Sequence, residues 1–139
     1  MAENITLEIV TPEKSVVSES VQIVMAPGTL GEFGVLAGHT PFMTSLKIGA
    51  VRYEDESGTE RVVFVGGGFA EALPDRVTIL AEVAERRREI DLERAKAAKQ
   101  RAEERLAREA EAENIDFVRA RAALMRAIMR MQLAESRKV

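Results

Sequence analysis

The chain contains no cysteine and no tryptophan, and only one histidine and one tyrosine. The first absence excludes disulfides, cysteine-ligated zinc, iron–sulfur clusters and thiol nucleophiles. A lone histidine, His39, cannot assemble a nucleophile, base and oxyanion donor around itself, nor the three or four ligands that zinc requires. No catalytic residue and no metal ligand is therefore expected. One tyrosine leaves little for stacking on bases, which argues against nucleic acid as a partner. No run approaches the roughly 20 apolar residues of a membrane span, and Met1 to Val10 carry no basic leader. The expectation is a soluble, unprocessed protein that meets a membrane only through a partner.

What is present divides the chain in two. Residues 1-85 hold 5 Lys/Arg against 13 Asp/Glu, a balance of −8, and residues 86-139 hold 15 against 10, a balance of +5. A chain that collects its arginines at one end points that end toward an acidic partner. The composition shifts at the same place. Up to about Val83, β-branched runs such as Ile5–Val10, Val21–Met25, Val62–Val65 and Val77–Leu80 are punctuated by the turns Glu56-Ser57-Gly58 and Leu73-Pro74-Asp75, which reads as many short strands. Ile5, Leu7 and Ile9 alternate with polar residues, marking a strand with one buried face in a sandwich or flattened barrel.

From Ala84 to the end there is neither proline nor glycine, only a helix-forming mixture of Ala, Glu, Arg and Lys. Asp91 is placed to cap a first helix, and the break Glu113-Asn114-Ile115-Asp116 to cap a second, giving an antiparallel pair over about 91-112 and 116-136. The apolar stripe of the first helix is Leu92, Ala95, Ala102, Leu106 and Ala110. That of the second is Phe117, Ala120, Leu124, Ala127, Ile128, Met131 and Ala134. The fold class is thus α+β: a β domain over 1-85 and a helical hairpin over 86-139. Alanine buries little area, so the pair is expected to be weakly held and able to open.

Three patterns invite a functional reading. Between Pro27 and Pro41 four glycines shape a loop; turns between strands account for them, but Glu32 and Phe33 read as exposed at a turn and placed for a partner. Gly66-Gly67-Gly68 lacks the Lys-Ser/Thr of a phosphate loop and reads as a bulge or a close backbone approach. Arg94, Arg101, Arg105 and Arg108 form one stripe, and Arg119, Arg126, Arg130 and Arg137 another. A solvated face laced with pairs such as Glu104 to Arg108 is the plain account. No carboxylate occurs between Phe117 and Leu133, however, and arginines without carboxylates await an outside anion.

Gly31-Glu32-Phe33-Gly34-Val35-Leu36, Gly38-His39-Thr40-Pro41, the strand through Gly67-Gly68-Phe69, Val77-Thr78-Ile79-Leu80-Ala81 and the two-helix tail together resemble the epsilon subunit of bacterial F-type ATP synthase. Order, spacing and length agree over essentially the whole chain. It departs at Ala37, where the family often has proline, and at Gly66, where serine is common.

The resemblance implies a ten-stranded β-sandwich that binds the gamma subunit and the membrane c-ring in the central stalk of a proton-translocating synthase. It places the complex on the cytoplasmic face of the bacterial inner membrane. It also implies a c-ring contact at Gly31, Glu32, Phe33 and His39. The tail would act as a brake: extended along gamma, it would bring Arg119, Arg126 and Arg130 against acidic segments of the beta subunits within the alpha–beta head and obstruct ATP hydrolysis. No cofactor is required. Some bacterial members bind ATP on the folded hairpin through an Ile/Leu-Asp-x-x-Arg-Ala motif, which Ile90, Asp91, Arg94 and Ala95 match, with Glu85, Arg101, Arg126 and Arg130 as further contacts. Asp91 could accept from the base or merely cap its helix; the residues leave both open.

Overall fold

The computed structural model describes residues 3–109 and 116–136. The chain forms two compact units, Met1–Arg86 and Arg87–Val139. The first holds seven strands: β1 (Ile5–Val10), β2 (Ser15–Gly28), β3 (Gly31–Val35), β4 (Phe42–Asp55), β5 (Glu60–Leu73), β6 (Arg76–Ala81) and β7 (Ala84–Arg86). The second holds a 3-10 turn at Arg87–Glu89 and the helices α1 (Leu92–Glu109) and α2 (Asp116–Ser136).

The strands are linked in the order β1-β6-β5-β4-β2, and β2 pairs back onto β1, so the sheet closes on itself. Four of the five ring pairings are antiparallel; β1 and β6 run parallel. β3 hangs on β2, and β7 on β5. Against the expected ten strands, seven are found among the described residues. β2, β4 and β5 are each 14 residues long and continue through irregularities that a sequence reader takes for breaks. In β2 the register with β4 shifts between Val21 and Ile23 and again between Met25 and Gly28, and the strand bends there without ending.

The alternation read in β1 is realised: Ile5, Leu7 and Ile9 are buried with Val21, Val24, Val65, Val77 and Ile79 in one apolar core. Gly67 and Gly68 sit inside β5 at φ of 97° and 143°, where a Cβ is disfavoured. A Cβ on Gly68 would overlap the Leu80 carbonyl oxygen and lie 2.9 Å from the Ala81 Cα, so this glycine is where β6 approaches most closely.

α1 begins as expected. Asp91 Oδ1 accepts from the Arg94 amide at 3.1 Å, and the Asp91 carbonyl accepts from the Ala95 amide at 3.0 Å. The anticipated break at Glu113-Asn114-Ile115, with Ala110 and Arg137, lies outside the described residues. Ala95 and Ala102 on α1, and Ala120, Ala127 and Ala134 on α2, are buried. Each such methyl contributes about 0.8 kcal/mol, roughly a third of a leucine, so the seam is weak for its length. Lys99 of α1 lines a groove of about 180 Å³ with Ile128, Met131, Gln132 and Glu135 from the far end of α2, as an antiparallel pair requires.

Candidate functional site

Four surfaces stand out, and the first and third are built from residues singled out above. The first is the β2–β3 hairpin. Gly31 opens β3 at φ 135°, and Glu32 beside it is exposed. Phe33 is not exposed as expected. Its ring stacks edge-on against Phe42 with centroids 5.1 Å apart and packs on the apolar core, because alternation along β3 turns it inward from Glu32. His39 also packs against Phe42, at 5.0 Å, and its Nδ1–H donates to the Thr40 carbonyl at 2.7 Å. Phe33 and His39 therefore brace the hairpin through Phe42. The residue that the sequence reading missed is Leu30, which is 99% exposed at the tip. A leucine wedged between Thr29 and Gly31 in a glycine-rich turn was the available signal.

The second surface was also missed. On β5 the small residues Ala70 and Ala72 point inward, and Phe69, next to Ala70, points out. Phe69 lies directly across from Leu80, and Leu80 from Val10; Met43, paired with Glu71, sits diagonally beside Phe69. Phe69, Leu80 and Met43 are 58%, 56% and 68% exposed, so an apolar strip crosses four strands on the outside of the sheet. The signal was an inverted alternation, with alanine inside and phenylalanine outside, which a hydrophobicity pattern alone does not flag.

The third surface is the hairpin's arginines. At about 100° per residue, Arg94, Arg101, Arg105 and Arg108 lie about 80–140° round α1 from the Ala95/Ala102 seam, and Arg119, Arg126 and Arg130 lie at similar angles, in the same sense, from the Ala120/Ala127 seam. In an antiparallel pair equal offsets of the same sense fall on the same side, so both stripes share one broad face. The Lys99 groove lies on the other. No described carboxylate of either helix falls within the arginine arc. Arg94, Arg101 and Arg119 are exposed, and Arg126 and Arg130 half-buried. Glu104 accepts from Gln100 Nε2 at 3.4 Å, and Lys96 pairs with Glu93 at 3.5 Å.

The residues carried over for nucleotide binding are distributed unevenly. Ile90 and Ala95 are buried scaffold, Asp91 caps α1 while exposed, and Arg94 and Arg101 are open to solvent. Glu85 belongs to the first unit, in β7 opposite Phe64. Among the described residues no three His, Asp or Glu side chains converge as a metal site requires.

The fourth is a polar turn between β4 and β5. Asp55 has its carboxyl held down at about 2, first by the Ser57 hydroxyl, then by the Thr59 amide, the Arg61 guanidinium and the Ser57 amide. Oδ1 accepts from the Ser57 hydroxyl at 2.6 Å and from both amides at 3.0 Å, and Oδ2 from Arg61 Nε at 3.2 Å. This cluster is a closed structural staple with its acceptors occupied.

The chain thus combines a closed β domain that carries an apolar outer strip with a basic, alanine-seamed hairpin. The chain matches the ATP synthase delta/epsilon chain beta-sandwich domain over residues 4–87 and the ATP synthase delta/epsilon chain long alpha-helix domain over residues 88–135. The ATP synthase epsilon chain of Desulforapulum autotrophicum is 63% identical over 137 residues, covering 99% of this chain and 100% of its own. That of Desulfatibacillum aliphaticivorans is 59% identical over 139 residues, covering 100% and 97%. The chain belongs to the epsilon-chain family of F-type ATP synthase. Its fold also recurs in a chain of the cryo-EM structure of the Euglena gracilis mitochondrial ATP synthase, OSCP/F1/c-ring in rotational state 1, with a TM-score of 0.75 at 24% identity, covering 92% of this chain and 79% of that one.

Proposed function

We propose that this chain is a non-catalytic rotor subunit whose β domain couples the gamma subunit to the c-ring and whose hairpin is an ATP-sensitive brake on hydrolysis. The apolar strip of Val10, Leu80, Phe69 and Met43 suits gamma, because a protein partner removes that area from water. The Leu30–Glu32 tip, braced by Phe33 and His39, is a compact foot for the c-ring. Attachment to the cytoplasmic face of the bacterial inner membrane then comes through the complex; no described helix is long and apolar enough to cross a membrane.

The observation that carries the brake is the shared arginine face, on which no described carboxylate of either helix lies. Guanidinium groups gathered on one side of a weakly seamed hairpin have two complementary anions in this reading. One is the acidic surface of the beta subunits in the alpha–beta head, met by Arg119, Arg126 and Arg130 when the hairpin extends. The other is the triphosphate of ATP, held between Arg94 and Arg101 of α1 and Arg126 and Arg130 of α2 when the hairpin is closed. Ile90, Asp91 and Ala95 shape the start of α1 beneath that ligand. A ligand that needs both helices in place stabilises the closed form, and at 100 times its Kd it shifts the ratio roughly a hundredfold.

Titration calorimetry and hydrolysis assays test the two halves. Wild-type protein should bind one ATP per chain, and Arg94→Ala or Arg126→Ala should abolish binding with helix content nearly unchanged. No heat and no NMR shift at millimolar ATP would remove the sensor. Replacing Arg119, Arg126 and Arg130 with alanine should raise hydrolysis by the assembled enzyme, most at low ionic strength. An unchanged rate with the variant incorporated would remove the brake.

A further inference from the structure

β7 is only three residues long, and its one ladder among the described residues is to β5, through Ala84, Glu85 and Arg86. Three ladder positions on an edge hold a strand poorly. Its last residue has a second anchor: Arg86 Nη1 donates to the Tyr53 hydroxyl at 3.2 Å. Tyr53 is buried within β4, and Glu19 of β2 lies close enough to its hydroxyl to help raise its pKa, after the burial itself. A side chain buried in β4 thus reaches β7 at Arg86, the last residue of the first unit. Upstream, the Glu82 amide donates to Gly67 O at 3.2 Å and Val83 O accepts from the Gly66 amide at 2.9 Å, so the segment is tied to the β domain from 82 to 86. Beyond Arg86 the chain turns at once, with the Ile90 amide on Arg87 O at 3.3 Å.

We propose that the Arg86–Tyr53 hydrogen bond is a latch that keeps β7 on the β domain, so that the chain leaves the sheet only after Arg86. Without it β7 peels and the free linker lengthens by about five residues, back toward Glu82. Tyr53 is then a positioning residue for the hairpin's movement. That consequence rests on the brake reading above; the latch itself does not.

Hydrogen exchange on the full chain separates the two. Tyr53→Phe keeps the ring and removes the hydroxyl, and Arg86→Gln removes the charge from the other end. Each should speed exchange over residues 82–86 about tenfold, the scale of a lost hydrogen bond to a charged donor, while residues 76–81 of β6 keep wild-type protection. Wild-type protection of 82–86 in either variant overturns the latch. Equal loosening of 82–86 and 76–81 also overturns it, since Tyr53 would then hold the whole domain. Freed 82–86 with unchanged hydrolysis by the assembled enzyme leaves the latch standing and counts against the brake.

Discussion

Replacing Gly68 with alanine should unfold the β domain at a much lower urea concentration than wild type. Two effects add. At φ 143° a Cβ is disfavoured, which costs about 1–3 kcal/mol. The new methyl also overlaps the Leu80 carbonyl and crowds the Ala81 Cα at 2.9 Å; both are backbone atoms that move only with β6, so overpacking adds about 1–3 kcal/mol. The total, about 2–6 kcal/mol, is comparable to the entire stability of a small domain. With a urea dependence of about 1 kcal/mol per molar, the midpoint should fall by at least about 2 M. Gly67→Ala is the internal control: its φ of 97° carries the strain, but its Cβ would lie an ordinary 3.7 Å from Leu46 O, so only the first cost applies. Tyr53, the single tyrosine in a chain without tryptophan, reports the β domain by fluorescence without interference from the hairpin. A Gly68→Ala midpoint equal to wild type, or a smaller loss than Gly67→Ala gives, would refute the close approach of β5 and β6.

Asp55, with its carboxyl lowered from 3.8 to about 2, lends the folded state stability that is fully present above pH 3.8 and lost as pH falls through about 2, so the urea midpoints of wild type and Asp55→Asn should differ at pH 5 and converge near pH 2; a gap that stays constant over that window contradicts the staple. Phe69→Ser with Leu80→Ser should leave the isolated chain folded, since both side chains are more than half exposed, and weaken co-purification with gamma; undiminished capture would place gamma elsewhere. Asp91→Ala should lower α1 stability by about 1 kcal/mol by circular dichroism, whereas Asp91→Asn retains the cap. Loss of ATP binding in the asparagine variant would therefore assign the carboxylate to the ligand, and retention would assign it to the helix alone.

Local signals were legible and nonlocal ones were not. The Ile5, Leu7, Ile9 alternation, the Asp91 cap and the change of composition near Ala84 each express a preference settled within a few residues. So does the close approach at Gly66-Gly67-Gly68, where three glycines leave few other reasons to exist. The parallel β1–β6 pairing, which closes the ring, joins residues about 70 apart, and no turn chemistry announces it. The strand count failed because bends within β2, β4 and β5 resemble ends when the partner strands are unknown. Phe33 was misplaced by a single step of alternation: Glu32 and Phe33 are neighbours in sequence and face opposite ways. The arginine stripes were visible on each helix separately. That they share a face needed the antiparallel packing of α1 on α2.

Ring closure has a mechanical corollary. A sheet with open edges yields to a pull one hydrogen bond at a time, like a zipper, whereas a closed ring must break several bonds together in shear. Only β3 and β7 hang outside the ring and can be peeled singly. β3 carries the Glu32 tip and β7 is the last strand before Arg87, so a pull on either end of the β domain acts first on a strand that can yield. The five-strand ring resists as a single stiff body.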